Sequence, residues 1–186
     1  QEIHGSTEDL KPYQRKRLQQ LFRRTINGKQ LVSPELAEHL AEISFDLKRQ
    51  VGVLVERNGK IAWVVLGTAQ RIYLPDIGRN RGAITRFRGL RYIHTHLQNE
   101  PLKEDDFTDL VLLRFDAVIA INVSSIGKPI TCHWAYLSHD AKETHPYQVI
   151  QVRSVYDFTG QELDIIRDAE KSFSETFRDS KNIESQ

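Results

Sequence analysis

The chain has 186 residues, of which 39% are hydrophobic and 27% are charged. This composition fits one globular domain with a hydrophobic core, and it excludes a disordered tail, a coiled coil and a collagen-like rod. No apolar run approaches the roughly 20 residues that a membrane-spanning helix needs, so we expect no membrane span.

The sequence contains one cysteine, Cys132, and no methionine. A single thiol excludes an internal disulfide and a zinc site built from several thiolates. The single thiol therefore favours a reducing cytoplasm, and no basic-then-apolar leader of a secretory signal is visible. Because even an initiator methionine is missing, we expect the chain to be a piece of a longer protein.

The charges are unevenly distributed, although the net charge is only +1. Residues 11–30 and 79–98 are two basic blocks without an acid, whereas the stretch from residue 157 onward has eight acids against four bases. Basic blocks can neutralise phosphates, which supplies most non-specific affinity for nucleic acid. The candidates for RNA binding are Arg15, Lys16, Arg23, Arg24, Arg79, Arg81, Arg86 and Arg88. The alternative is a solvated helix face followed by a flexible loop.

The first two predicted elements are helices. Residues 10–24 have helical spacing, and Asn27-Gly28 ends the element. The shared face of this helix carries Leu10, Tyr13, Arg17 and Leu21. A second helix begins at Ser33-Pro34-Glu35, because these residues supply a capping hydroxyl, a proline at the first helical position and an acid at the positive end of the helix dipole. Its buried stripe is predicted to be Leu36, Leu40, Ile43 and Leu47.

The pattern changes to strands at residue 51. Residues 51–56 and 61–66 are β-branched runs separated by a turn that contains Asn58-Gly59, the strongest short-range signal for a hairpin. Residues 71–74 predict a third short strand that a proline stops. Residues 75–89 combine glycines and arginines, which predicts a mobile basic loop.

The rest of the chain alternates between strands and helices. The predicted strands are residues 90–94, 115–123, 130–137 and 147–152, and the predicted helices are residues 104–113 and 161–177. This order predicts a single domain of the α+β or mixed α/β class, with a central mixed sheet flanked by helices. Its segments are a basic helical segment over residues 1–30, a mixed-sheet core over residues 31–157 and an acidic amphipathic helix over residues 158–186.

Two histidines at the end of a predicted strand are the strongest sign of chemistry. His94 and His96 are two residues apart, so their side chains point the same way from a strand. Neutral imidazoles are good zinc ligands, and a catalytic zinc needs three protein ligands and one open position. Asp105 or Asp106, at the start of the following helix, can supply the third ligand. The alternative is two polar residues at a strand end, with acids that merely suit the helix dipole.

This segment resembles the JAB/MPN metalloprotease-type domains, including their RadC-like branch. The resemblance rests on His94-Thr95-His96, the loop proline Pro101 and the aspartate at the helix start. It implies a JAB/MPN-like fold in which His94, His96 and Asp106, or Asp105, hold zinc, while a glutamate on an earlier strand activates the water.

Three departures from the family pattern concern the chemistry. Leu97 stands where the family usually has proline, and acids replace the serine expected before the aspartate. Lys48-Arg49-Gln50 stands where the upstream glutamate is expected, and the nearest acid, Glu56, is at the hairpin end of that strand. Hydrolysis loses a major rate factor without a general base. We therefore expect the fold with a decayed site and no catalytic residue.

A wider resemblance, to the N-terminal extension of long-form bacterial HflX GTPases, covers nearly the whole chain. Its segments, in order, are residues 5–12 (GSTEDLKP), 31–37 (LVSPELA), 49–55 (RQVGVLV), 89–97 (GLRYIHTHL) and 104–110 (EDDFTDL). Several dispersed matches in one order are more specific than one pair of histidines. The resemblance implies a cytoplasmic, GTP-hydrolysing factor that associates with the large ribosomal subunit.

The sequence itself contains no centre for GTP hydrolysis. The Gly-Lys pairs are Gly28-Lys29, Gly59-Lys60 and Gly127-Lys128. None is followed by a serine or threonine or preceded by the glycine that a phosphate-binding loop requires. We therefore expect GTP and Mg²⁺ to bind a GTPase region downstream of this chain.

The favoured hypothesis is a non-catalytic module of an HflX-like GTPase. It would bind ribosomal RNA or regulate the downstream GTPase domain, and it would need no cofactor of its own. The alternative is a zinc-dependent hydrolase of peptide or isopeptide bonds that uses His94 and His96.

Overall fold

The computed structural model describes residues 2–75, 87–138, 147–152 and 154–184. Within these residues the chain forms one domain with a mixed sheet of seven strands and four α-helices, which confirms the predicted α+β class. The strands are β1 Ile3–His4, β2 Val51–Glu56, β3 Ile61–Leu66, β4 Leu90–His96, β5 Ala117–Val123, β6 Pro129–Leu137 and β7 Tyr147–Val152. The helices are α1 Pro12–Gln20, α2 Pro34–Leu47, α3 Glu104–Leu113 and α4 Gln161–Glu184.

The strand order in the sheet is β1-β3-β2-β4-β5-β6-β7. Strand β4 runs parallel to β5 and β1 runs parallel to β3, whereas the other neighbours are antiparallel. Helix α3 connects β4 to β5, as a crossover between parallel neighbours requires. Both edges of β4 are therefore paired inside the sheet.

Helix α2 confirms the predicted start and its buried stripe. The Ser33 hydroxyl accepts a hydrogen bond from the Leu36 N–H at 3.2 Å, and Pro34 takes the first helical position. Leu36, Leu40 and Ile43 are buried against the sheet, and Leu47 packs at the margin of the same core.

The hairpin of β2 and β3 is also confirmed. Gly59 has a φ of +87°, and a Cβ placed there would lie 2.0 Å from the Ile26 carbonyl oxygen. The position therefore requires glycine both for the turn and for the close approach of a neighbouring segment.

The sequence predictions were wrong in the region after β3 and incomplete at the N-terminus. Residues 71–74 are not a strand, and the Arg71 carbonyl instead accepts a local hydrogen bond from the Thr68 N–H at 2.8 Å. The outer edge of β3 pairs instead with β1, which the sequence did not predict. Residues 76–86, in the predicted basic loop, lie outside the described residues.

The two terminal helices also differ from their predictions. Helix α1 ends at Gln20 and continues as a 3₁₀ turn, Leu21–Arg23, and its buried side chains are Leu18, Leu21 and Phe22. Tyr13, which was predicted on the face shared with Leu10, Arg17 and Leu21, is half exposed. Helix α4 extends to Glu184 rather than to Phe177. No helix among the described residues is long and apolar enough to span a bilayer.

Alternation along β4 divides its side chains between two cores. Ile93 faces a core that α1, α2 and α4 cover, and Arg91 and Thr95 share this face because side-chain direction has a period of two. Tyr92 faces a second core with Leu110 of α3 and Phe115, and His94 and His96 share that face. The strand thus places both histidines beneath α3.

Candidate metal centre

Three side chains converge where the end of β4 meets the start of α3. The Nε2 atoms of His94 and His96 are 3.1 Å apart. Asp106 places Oδ1 at 3.0 Å from His94 Nε2 and Oδ2 at 3.6 Å from His96 Nε2. The structure therefore brings together His94, His96 and Asp106, which the sequence analysis gave as candidate zinc ligands.

The local fold holds Asp106 in this position. Asp106 is the third residue of α3, and its Oδ2 accepts a hydrogen bond from the Lys103 backbone N–H at 2.8 Å. This contact caps the helix and suits its dipole. One oxygen is thereby held at the helix start while the other faces His94.

The geometry distinguishes between the two candidate aspartates. The Asp105 side chain is 63% exposed and lies 3.5 Å from the Arg71 guanidinium. Asp106, in contrast, is 8% exposed and belongs to the cluster. Asp106 rather than Asp105 therefore has the position of a third ligand.

Burial sets the protonation states of the cluster. Burial, assisted by the neighbouring His94, lowers the pKa of His96 to about 4 despite the opposing effect of Asp106. Burial alone would raise the pKa of Asp106, but His94 and the hydrogen bonds to the carboxylate outweigh it and lower that pKa to about 2. At neutral pH His96 is therefore neutral and Asp106 is ionised, which are the forms that bind a metal ion.

The donor set and its spacing fit a zinc ion. Two donors bound at about 2.0–2.1 Å with tetrahedral angles lie about 3.4 Å apart, close to the three separations in the cluster. The Nδ1 atoms of His94 and His96 are buried without a hydrogen-bond partner among the described residues. Zinc-binding histidines usually donate this second N–H to a carbonyl or carboxylate. The cluster thus has the inner ligands of a zinc site but lacks the usual support behind His94, while the Glu100 backbone interacts with His96 and opposes the lowering of its pKa.

A glycine opposite His94 makes room for the ring. Gly52 of β2 pairs with His94, and the Tyr92 ring stacks on the imidazole with centroids 4.5 Å apart. A Cβ at Gly52 would lie 2.9 Å from Tyr92 Cε1 and 3.4 Å from His94 Cβ. Gly52 therefore permits the stacking that orients His94, a role that sequence reasoning missed.

No general base is supplied by β2. Gln50, which immediately precedes β2, is 4% exposed and lines the cavity at the cluster. Glu56 pairs opposite Leu90, whereas Gly52 pairs with His94, so the acid lies four residues, or about 13 Å, farther along the strand. Neither side chain can take a proton at the cluster: Gln50 is an amide, and Glu56 lies at the opposite end of the strand.

A second carboxyl group, Asp109, lines the same cavity. It lies one helical turn after Asp106, and the spacing i, i+3 could have revealed it. Burial and the nearby charge of Asp106 raise the pKa of Asp109 to about 6. The cavity has a volume of about 30 Å³, which is room for an ion and one or two water molecules but not for a peptide.

The residue between the two histidines has a different environment. Thr95 is fully buried on the opposite face of β4, where its hydroxyl donates to Ser44 Oγ at 2.8 Å and accepts from the Val51 N–H at 3.0 Å. Ser44 Oγ in turn donates to the Arg49 carbonyl at 2.6 Å. This network ties α2 to β4 and β2.

The predicted RNA-binding residues that the structure describes differ in their environments. Lys16 and Arg23 are exposed, and Arg15 is an exposed side chain that donates to the Thr7 carbonyl at 2.7 Å. Arg24 donates to His39 Nδ1 at 2.7 Å, and Arg88 pairs with a glutamate of α4. The remaining candidates, which lie outside the described residues, are Arg79, Arg81 and Arg86.

Comparisons with protein-family models, with curated proteins and with solved structures find no match to this chain. The resemblances to JAB/MPN domains and to HflX GTPases therefore rest on the quoted residues alone. The geometry of His94, His96 and Asp106 is the strongest functional observation in the described part of the chain.

Proposed function

We propose that this chain is a zinc-binding, non-hydrolytic module with a JAB/MPN-like fold, and that it belongs to an HflX-like GTPase that associates with the large ribosomal subunit. The observation that carries this proposal is the buried cluster of His94, His96 and Asp106, beside which Gln50 takes the place of a base. Three donors favour a metal ion, and the amide favours binding over hydrolysis.

The ligand residues support zinc more than a structural network of hydrogen bonds. One proton can bridge the two Nε2 atoms at 3.1 Å, but His94 Nε2 also faces Asp106 Oδ1 at 3.0 Å, and a single ring N–H cannot serve both partners. A cation bound to both lone pairs and to the Asp106 carboxylate relieves this conflict. When bound, zinc would supply a Lewis-acid centre with an open fourth position.

The amide of Gln50, at the position where the resemblance places the base, argues against efficient hydrolysis. A positioned general base contributes about a hundredfold to ten-thousandfold to a hydrolytic rate. The Gln50 side chain is an amide without basicity, and the cavity has a volume of only about 30 Å³. The metal then serves to fix β4 against α3 rather than to cleave a substrate.

The segments that resemble HflX surround this cluster. Residues 49–55 include β2, residues 89–97 include β4, and residues 104–110 form most of α3. Shared residues in these elements are expected if the leading domain of that family keeps this site. GTP and Mg²⁺ would then bind elsewhere in the polypeptide, because this chain has no phosphate-binding loop.

The exposed basic side chains are the proposed contacts with ribosomal RNA. Arg15, Lys16 and Arg23 are solvent-exposed, so they can reach phosphates. Cosedimentation of the chain with large ribosomal subunits tests this role. Replacing all three with alanine should weaken binding and flatten its dependence on salt. Replacing Lys60 and Lys128 with alanine is the control, and equal losses in both variants would contradict the proposal.

A zinc hydrolase is the second candidate, because Asp109 lines the cavity beside the ligands. If Asp109 takes the proton, the zinc-loaded chain cleaves peptide or isopeptide substrates and Asp109→Asn abolishes cleavage. The non-hydrolytic proposal instead expects no cleavage by the native chain. It also allows a gain of weak activity in Gln50→Glu, which would show that the base is the missing component.

A further inference from the structure

A cavity of about 250 Å³ lies on the other face of the sheet from the metal centre. It is enclosed by the hairpin end of β2, the start of β4 and the first turns of α4. Its lining residues are Arg57, Arg91, Asp116, Leu163, Ile166, Arg167, Glu170 and Lys171. Four basic side chains therefore face two carboxylates and an apolar wall.

Arg91 is a buried cation in this cavity without an ion pair among the described residues. The residue is 3% exposed, and Nη1 donates to the carbonyls of Gln30 and Leu31, both at 2.8 Å. A guanidinium has five N–H donors, and no hydrogen bond among the described residues uses its Nε or Nη2. No carboxylate of the described residues lies within ion-pair distance either. Burial lowers the pKa of Arg91 to about 10, which still leaves it charged at neutral pH.

The carboxylates of the cavity are already occupied. Asp116 accepts from Arg57 Nε at 2.9 Å and Nη2 at 3.0 Å, and also from the Gly89 N–H at 3.0 Å. Glu170 pairs with Arg88. Both acids are therefore hydrogen-bonded to other groups, and Asp116 acts on Arg91 only through its charge, which raises the pKa of Arg91 against the effect of burial.

Two further cations of α4 remain at the rim. Lys171 is exposed, and Arg167 has only an exposed partner, Asp164, at 3.4 Å. Exposed pairs of this kind contribute little. Arg91, Arg167 and Lys171 together leave the cavity positively charged.

We propose that this cavity binds the phosphate group of a single nucleotide, either free or at the end of an RNA strand. Arginine recognises phosphate through paired N–H donors, and the three cations can neutralise the two charges of a terminal phosphate. The apolar side chains of Leu163 and Ile166 suit the flat face of a base. The volume is below the about 300 Å³ at which typical ligand pockets begin, which restricts the occupant to one nucleotide unit.

Isothermal titration calorimetry of the whole chain tests the proposal. The probes are inorganic phosphate, adenosine and guanosine monophosphates, adenosine without phosphate, and a 5′-phosphorylated RNA of four nucleotides. A chelator is present throughout, so that phosphate cannot bind through a metal ion. The monophosphates should bind and adenosine should not. Tighter binding of the RNA identifies a strand end as the source, and equal or weaker binding identifies a free nucleotide.

Matched variants localise the binding. Lys171→Glu should weaken monophosphate binding by about tenfold, the usual effect of losing a charged contact. Lys128→Glu makes the same change of charge at a distant exposed turn and should leave the affinity unchanged. Equal losses in the two variants, or no binding of any phosphate probe, would overturn the proposal.

A second variant tests the buried arginine. Arg91→Met keeps the volume but removes the charge, and Arg91→Lys keeps the charge. Circular dichroism establishes that each variant is folded. The proposal expects Arg91→Met to lose monophosphate binding and Arg91→Lys to retain part of it. A folded Arg91→Met that binds as the native chain does would contradict it.

Discussion

Adjacent residues of strand β4 show two ways of burying a polar group. On one face, the Thr95 hydroxyl both donates and accepts hydrogen bonds within a network that includes Ser44 and Val51. On the other face, His94 and His96 direct their Nε2 atoms at each other and leave both Nδ1 atoms without a partner among the described residues. Burial is equal on the two sides, but hydrogen-bond satisfaction is not.

This difference separates a structural role from a ligand site. Buried polar groups in folded proteins are nearly always paired, so an unsatisfied cluster requires another explanation. The hydrogen bonds of the Thr95 hydroxyl are all made within the chain, and they join α2 to the sheet. A cation would give both Nε2 atoms and the Asp106 carboxylate a common partner, whereas the Nδ1 atoms lie on the far side of the rings from it.

The largest expected effect concerns zinc. Zinc at about 100 times its dissociation constant should raise the free energy of unfolding of the native chain by about 3 kcal/mol. Thr95→Val should keep this increase, whereas His94→Ala should lose it, because only the histidine face supplies ligands. Denaturant titrations with and without zinc measure both. If zinc stabilised His94→Ala as much as the native chain, the histidine face of β4 would not be the zinc-binding face.

A smaller effect is expected when the structural face is changed. Thr95→Val keeps the shape but leaves the Val51 N–H without its partner and removes the bond to Ser44. The free energy of unfolding of the zinc-free chain should fall by about 1–3 kcal/mol. Urea denaturation of zinc-free protein measures this loss. An unchanged midpoint would show that the network does not hold α2 to the sheet.

The smallest effect concerns pH. His96 and His39 both have a pKa lowered to about 4, in His39 by burial and by Arg24 and Arg17. Between pH 6.5 and 4 the unfolded histidines bind protons that the folded ones do not, so the stability of the zinc-free chain falls as the pH falls. His39→Gln and His96→Gln should each make the free energy of unfolding less dependent on pH, by an amount that corresponds to at most one bound proton. Urea titrations between pH 6.5 and 4 measure this dependence. A slope that neither variant changes would contradict these pKa shifts.

Local sequence signals predicted much of the fold. Ser33-Pro34-Glu35 predicted α2 because capping depends on adjacent residues, and Asn58-Gly59 predicted the hairpin because its turn needs a positive φ. The strand predicted at residues 71–74 was wrong and β1 was missed, because both depend on which sheet edge remains unpaired. That property belongs to the assembled sheet and has no local signal.

In the candidate site, too, some features follow from local sequence and others depend on the assembled fold. The spacing of His94 and His96 predicted their common direction, but the choice between Asp105 and Asp106 required the helix start to be placed. Asp109 was missed, although it lies one turn from Asp106. Arg24 and Arg88 carry charges that predicted RNA binding, yet the fold pairs one with a histidine and the other with a glutamate. Pairing across the chain decides which charges stay available.

The zinc content of the purified, zinc-loaded and desalted chain tests whether His94, His96 and Asp106 form a metal site. We expect about one zinc per chain in the native protein and in Asp105→Asn, whose exposed carboxylate faces Arg71. We expect no zinc in Asp106→Asn, which removes a ligand without changing the size of the side chain. A native chain without zinc, or equal zinc in the two asparagine variants, would contradict a metal site built from these residues.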